Sequence, residues 1–234
     1  MTHPTLTRPG HTSDRTAALE AIVLGLAAGH PDTTRQAVAQ LGPVLRGVYD
    51  QGDTAWQAGA AADFLAATLY ASPRFYLRLH AHAVGARDSD LHTHKGTVSS
   101  TVLCGDLVNI TAAPAFTPAS QAGALDVWQC GCLADGSHTQ QRTGVRAVID
   151  PQEVSHDRLT AGQGFTVAPG DYHRLTISPD PAAPTVTLCL FEWADPDAPD
   201  AFVLTGRPTP VVADRDMTTA AARAAVRQLL DTSY

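Results

Sequence analysis

After Pro73 the chain falls into short stretches that alternate with period two, and this pattern limits the fold more than any other feature. In Phe75-Tyr76-Leu77-Arg78-Leu79-His80-Ala81-His82-Ala83, one set of alternate positions holds Phe75, Leu77, Leu79 and Ala81, and the other holds Tyr76, Arg78, His80 and His82. Successive side chains on a strand point to opposite faces, so this run predicts a strand with unlike faces. Strand-like runs follow at 98–110, 125–133, 143–149, 164–167, 172–178 and 185–193. Turn signals separate them: Gly105-Asp106, Ala134-Asp135-Gly136, Pro169-Gly170-Asp171 and Pro179-Asp180-Pro181. Many short strands at this spacing predict a mainly β antiparallel sandwich or barrel.

The front of the chain is patterned differently. Leu19, Ile22, Val23 and Leu26 recur at three- and four-residue spacing behind a Thr12/Ser13 cap, which predicts a helix ending at Gly29-His30-Pro31. A second helix is expected from Asp32/Thr33, with Val38, Leu41, Leu45 and Val48 on one face and Pro43 breaking or kinking it. A third is expected after Gln51-Gly52-Asp53, with Trp56, Ala60 and Phe64 as its stripe. The organisation is therefore a flexible N-terminus (1–12), a helical region (13–72), a barrel (73–207), and a linker with a C-terminal helix (208–234). Within the last, Pro208–Asp216 is the linker and Met217–Leu230 the helix, capped by Asp216 or Thr218.

A chain of 234 residues suits one large domain or two small ones. Its 16 Lys+Arg against 23 Asp+Glu leave a formal charge of −7, with no basic surplus to grip a phosphate backbone, so no nucleic-acid partner is expected. No apolar run is long enough for a membrane helix, and Met1-Thr2-His3-Pro4-Thr5 is not a secretory signal. A cytoplasmic protein follows, with Cys104, Cys130, Cys132 and Cys189 as packed or free thiols and not a disulfide framework.

The histidines carry the chemistry. Of ten, His3, His11, His30, His138 and His156 stand in polar, turn or helix-end contexts and read as solvated. In His92-Thr93-His94, an extended backbone puts both imidazoles on one face, where they can converge on a metal ion. His173 follows the tight turn at Ala168-Pro169-Gly170-Asp171. Three neutral imidazoles suit a borderline transition metal and leave positions open for substrate or water.

The spacing around them has a precedent. Three residues separate His94 from Val98 and six separate Val98 from Gly105; Gly162, Pro169-Gly170 and His173 follow in order. Over roughly residues 74–193 this resembles the two signature motifs of the cupin superfamily: Gly, His-x-His, Glu, Gly, and then Gly, Pro-x-Gly, His, Asn. The resemblance implies a jelly-roll β-barrel. Here Gly85 precedes His92 by one residue more than usual, Val98 stands at the Glu position, Ala168 at the second motif's first Pro and Ile177 at its Asn.

Lacking that glutamate, the chain is similar to the thiol dioxygenases (the cysteine dioxygenase family), whose iron is held by three histidines. That resemblance implies His92, His94 and His173 as metal ligands. It also places Thr187, Cys189 and Phe191 where the family has a Ser-x-His-x-Tyr relay beside the metal, so the family's relay is absent and an ordinary cysteine dioxygenase is not expected. Without the carboxylate the metal keeps one more positive charge, which favours a directly bound anion.

If the polar face of the first strand points into the barrel, Arg78 can hold a substrate carboxylate and His80 or His82 can act as general base. The alternative is a face turned to solvent or to the helices. The expected activity is a mononuclear non-haem iron dioxygenase acting on a small anionic thiol, carboxylate or enolate together with O₂. Iron(II) is the first choice of metal, with Zn, Ni, Co, Mn or Cu as alternatives. A non-redox metal cupin (isomerase, lyase or hydrolase) and a non-catalytic small-molecule binder are the other readings. The Ala-rich helical front offers a surface for a homodimer.

Overall fold

The computed structural model describes residues 13–28, 36–58, 64–82, 90–117, 121–132, 138–177, 184–192, 200–206 and 218–233. The expected N-terminal segment 1–12, the helix stop and start at residues 29–33, Gly85, the turns at 134–136 and 179–181, and the linker 208–216 lie outside them, as does the side chain of Cys132.

Helices among the described residues bracket a β-rich body. α1 (Ser13–Ala27) buries Leu19, Ile22, Val23 and Leu26, the stripe read from the sequence. The second helical stretch is interrupted at Gln40, and α2 (Leu41–Gln51) starts afresh with Pro43 in its first turn. There the missing proline N–H removes no intrahelical bond. Leu41, Val44, Leu45 and Val48 are buried. α3 (Thr219–Ser233) begins where the Thr218 hydroxyl accepts from the Ala221 N–H at 3.2 Å, an N-cap bond.

The expected third helix is not formed. Gly52 ends α2 at φ +65°, a 3₁₀ turn follows, and Trp56 is already extended. The chain then supplies β1 (Trp56–Ala58) and β2 (Phe64–Ala71), which pair with each other and continue into the sheet. Alanine favours a helix only weakly, and a partner strand along the whole length of β2 overrides it. The β-rich part therefore begins near residue 56, not 73.

The remaining strands are β3 (Phe75–His82), β4 (Leu91–His92), β5 (Thr97–Cys104), β6 (Asp106–Ala112), β7 (Ala115–Thr117), β8 (Leu125–Cys132), β9 (His138–Val148), β10 (Val154–Thr160), β11 (Gly164–Val167), β12 (Tyr172–Ile177), β13 (Thr185–Glu192) and β14 (Ala201–Thr205). They form two sheets, ordered β1-β2-β3-β13-β5-β11 and β10-β6-β12-β4-β14-β8-β9-β7. Eight of them pair as one long nested hairpin: β3 with β13, β4 with β12, β5 with β11 and β6 with β10. The hairpin is rolled, so that β13 also takes β5 and β12 also takes β6. That is the pairing of a jelly roll. The protein is a mainly β jelly roll with helices before and after it. Strands β7 to β9 and β14 extend its second sheet.

Period-two alternation divides each strand between two environments. Leu77, Leu79 and Ala81 of β3 and Val186, Leu188 and Leu190 of β13 join Leu65, Ala67 and Leu69 of β2 in a cluster under the helices. Burying one such leucine contributes roughly 1.5–3 kcal/mol, so the main core lies between the helices and the outer face of the first sheet. The opposite faces of these strands line the barrel, and they mix polar groups such as His80, His82 and Thr187 with the rings of Phe64 and Phe191.

Candidate metal centre

Each histidine of the cluster is placed by its backbone. Thr93, between the two histidines, is buried; its N–H donates to Phe202 O and its hydroxyl accepts from the Phe202 N–H, both at 2.9 Å. Stitched to β14 in this way, Thr93 faces outward and leaves His92 and His94 facing inward. His173 sits opposite His92 in the β4–β12 ladder. The turn before it closes with the Asp171 N–H on Ala168 O at 3.1 Å. Pro169 takes the second position and Gly170, at φ +86°, the third, the arrangement of a type II turn that requires glycine there. The Gly170 N–H also reaches His94 O at 3.4 Å, tying the second motif to the first.

The three imidazoles meet. Ring centroids lie 4.9 Å apart for His92 and His94, 4.6 Å for His92 and His173, and 5.1 Å for His94 and His173. One nitrogen from each lies within 4.8 Å of the others. His94 Nε2 and His173 Nε2 are 2.9 Å apart, a hydrogen-bond distance and also close enough for both to ligate one ion with ~2.1 Å metal–nitrogen bonds.

The donor set fits a metal. His92 Nδ1 lies 3.0 Å from Asp90 O, a carbonyl that can only accept, so this nitrogen carries the proton and Nε2 keeps its lone pair. His173 Nδ1 is 3.0 Å from Asn109 Oδ1, which fixes the same tautomer. Burial lowers the pKa of all three. His173 falls to about 2, helped by the neighbouring His92 and His94; His94 falls to about 3, helped by His92; in His92 burial outweighs the opposing pull of Asp90. The rings are neutral at physiological pH, as metal ligands must be. Among the described residues no carboxylate joins the cluster. Val98 is buried on the β5 face it shares with Ser100, and it pairs with Phe191, whose ring lies 6.0 Å from that of His94.

The polar face of β3 lines the barrel, which settles the alternative left open by the sequence. His80 and His82 are 7 % and 4 % exposed, whereas Arg78 and Tyr76 are half-buried. Arg78 Nη2 donates to Tyr76 Oη at 2.7 Å, and its guanidinium lies 4.2 Å from the centre of the Tyr76 ring. Tyr76 Oη is 2.8 Å from Thr68 Oγ1. Arg78 Nε and His80 Nε2 are buried without a partner. Burial lowers the pKa of His80 well below its ordinary value, with His82, Arg78 and His94 adding to it, and burial alone takes His82 to about 4.

Thr187, Cys189 and Phe191 of β13 face the same interior. Cys189 Sγ lies 3.4 Å from His80 Nδ1, 3.4 Å from Thr187 Oγ1 and 3.3 Å from Ser100 Oγ. Thr187 Oγ1 is 3.2 Å from His82 Nε2. Burial pushes the Cys189 thiol up, which keeps it protonated. Cys104, Cys130 and Cys189 are free thiols.

Several interior residues escaped sequence reading. Asn109 is 3 % exposed on a strand otherwise rich in aliphatics. An amide at a period-two position of such a strand was the available signal. Phe64 stacks on His80 with centroids 4.3 Å apart, and Phe165 lies 5.8 Å from the His173 ring. Phe64 was hidden by its assignment to a helix. Near the site, Lys95 is exposed and ion-paired with Asp200 at 2.5 Å, and Arg174 is half-buried.

No protein-family model matches this sequence, and no curated protein matches it significantly. Solved structures to which the chain is similar include an RmlC-like cupin from Shewanella frigidimarina at 18 % identity, covering 60 % of this chain and 85 % of that one, with a TM-score of 0.34. KdgF from Halomonas is 13 % identical over 61 % of this chain and 90 % of its own, with a TM-score of 0.35. Oxalate decarboxylase from Bacillus subtilis is 12 % identical, covering 58 % of this chain and 26 % of that one, with a TM-score of 0.35. No described helix is long and apolar enough to cross a membrane.

Proposed function

We propose that His92, His94 and His173 hold one transition-metal ion, iron(II) first, and that the protein is an oxygenase for a small anionic substrate that binds this ion directly. The observation that carries the reading is three converging neutral imidazoles with no carboxylate among them. A divalent ion held by neutral ligands keeps its full charge, and when bound it supplies adjacent coordination positions for an anion and O₂.

The chain's own residues do the rest. Arg78 adds a second positive charge on the same interior, and its unpartnered Nε is a donor for a substrate carboxylate. His80 and His82 are the bases within the barrel, neutral and able to accept a proton from a substrate that binds as its anion. Phe165, Phe191 and Val98 surround the cluster with apolar surface, lowering the local dielectric and strengthening the attraction of the anion. The substrate class is a small thiol, carboxylate or enolate.

One observation favours a second reading. Phe191 offers no hydroxyl where β13 meets His94, so among the described residues this strand places no phenol beside the metal ligands. Non-redox chemistry on the same ion, as in an isomerase, lyase or hydrolase, needs none. O₂ consumption by the iron-loaded protein against a panel of thiols and small keto and hydroxy acids separates the two. Substrate-dependent uptake supports the oxygenase. Turnover of a panel member without uptake supports the second reading, and binding without turnover leaves a receptor.

A further inference from the structure

Behind the partnerless nitrogen of His80 runs a continuous line of exchangeable protons. His80 Nδ1, Cys189 Sγ, Thr187 Oγ1 and His82 Nε2 follow one another at 3.4, 3.4 and 3.2 Å. All four side chains are buried, the least of them 7 % exposed. The line is built by register: Thr187 lies opposite His80 across the β3–β13 ladder, and Cys189 lies opposite Arg78, so β3 contributes the two ends and β13 the two middle members on one face. The His80 ring is held flat against Phe64, with 23° between the planes, and Ser100 gives Cys189 a further hydroxyl contact. At the near end His80 is one aromatic ring from the metal ligands: its centroid is 6.1 Å from that of Phe191, which is 6.0 Å from that of His94. A buried ring nitrogen without a partner is rare, because it forgoes a hydrogen bond it had in water. A substrate proton would restore it.

We propose that His80 takes the proton released when the substrate binds as its anion, and that Cys189 and Thr187 relay a proton onward to His82. This rests on the anionic-substrate reading above. With donors aligned in one direction, His80 Nε2 gains the substrate's proton and Nδ1 gives its own to Cys189 Sγ. Cys189 passes its S–H proton to Thr187 Oγ1, and Thr187 passes its O–H proton to His82 Nε2. Each interior member loses one proton and gains one, no electrons move, and the single positive charge ends on His82. Among the described residues neither histidine has a carboxylate partner, so none of these traps the proton.

Long-range ¹H–¹⁵N spectra of the metal-free protein test the line without any turnover. The expected state has His80 protonated on Nδ1 and bare on Nε2, and His82 Nε2 unprotonated and accepting a hydrogen bond. Thr187→Val should move His82 Nε2 to the frequency of a free acceptor, and Thr187→Ser should return it. Cys189→Ala should move His80 Nδ1, and Cys189→Ser should return it. A His80 protonated on Nε2, or a His82 signal indifferent to Thr187→Val, overturns the relay. In the metal-loaded protein with an active substrate, Thr187→Val should slow turnover about 100-fold, the lower end of what assisted proton transfer contributes. It should also enlarge the solvent deuterium effect at unchanged metal content; an unchanged deuterium effect overturns the relay. Absence of any active substrate would sink the functional reading alone, since the spectra still decide the relay.

Discussion

Acid should unfold the metal-free protein at a pH where ordinary domains of its size are indifferent. His82, His94 and His173 have pKa values lowered to about 4, 3 and 2, and those of His80 and His92 are lowered as well. In the unfolded chain each titrates near 6.5. As pH falls, the unfolded state therefore takes up protons that the folded state refuses. Stability is fully present above 6.5 and is lost progressively below it, down to the folded values. By pH 5.5 each such histidine has withdrawn about 1.4 kcal/mol, so His82, His94 and His173 together withdraw about 4 kcal/mol. Domains are stable by only about 5–15 kcal/mol, and with a urea dependence of about 2–3 kcal/mol per molar, the midpoint should drop by about 1.5–2 M between pH 7.5 and 5.5. The assay is urea unfolding of chelator-treated protein across that range. His82→Asn should remove its own share, about 1.4 kcal/mol, without touching the metal ligands. A midpoint that is flat between pH 7.5 and 5.5 would refute the reasoning, because it would mean these imidazoles are protonated or wet in the fold.

Other perturbations follow from the same geometry. Asn109→Ala frees His173 to choose the other tautomer, and metal affinity measured by chelator competition should fall about 10–100-fold. Val98→Glu puts a carboxylate into buried surroundings, so the metal-free variant should melt lower than wild type and recover more on adding metal. Gly170→Ala, at φ +86°, strains the turn before His173 and should cost about 1–2 kcal/mol in urea unfolding together with part of the metal affinity. Leu79→Ala opens a cavity under the helices and should cost about 2–5 kcal/mol while leaving metal affinity unchanged.

What the sequence made legible was whatever a single strand or helix decides for itself. The alternation of β3 foretold two unlike faces, and His92-Thr93-His94 foretold two convergent rings, because side-chain direction on an extended chain is a local property. The stripe Leu19, Ile22, Val23 and Leu26 was legible for the same reason. Illegible were properties that belong to pairs of strands. Residues 64–71 are strand because β3 lies beside them, and their alanines point the other way. The two-residue β4 and the short β1 and β7 carry too little pattern to be seen alone. Which way the β3 polar face turned depended on the helices claiming the other side. Asn109 and Phe64 acquire meaning only through the histidines they touch.

The measurement that bears most directly on the central claim is the metal content of the purified protein beside its His92→Ala, His94→Ala and His173→Ala variants, each shown to be folded by circular dichroism. Wild type should carry close to one equivalent of a transition metal, and each variant should lose most of it. A wild type that holds no metal even after loading, or variants that retain wild-type occupancy, would contradict a centre built on these three imidazoles.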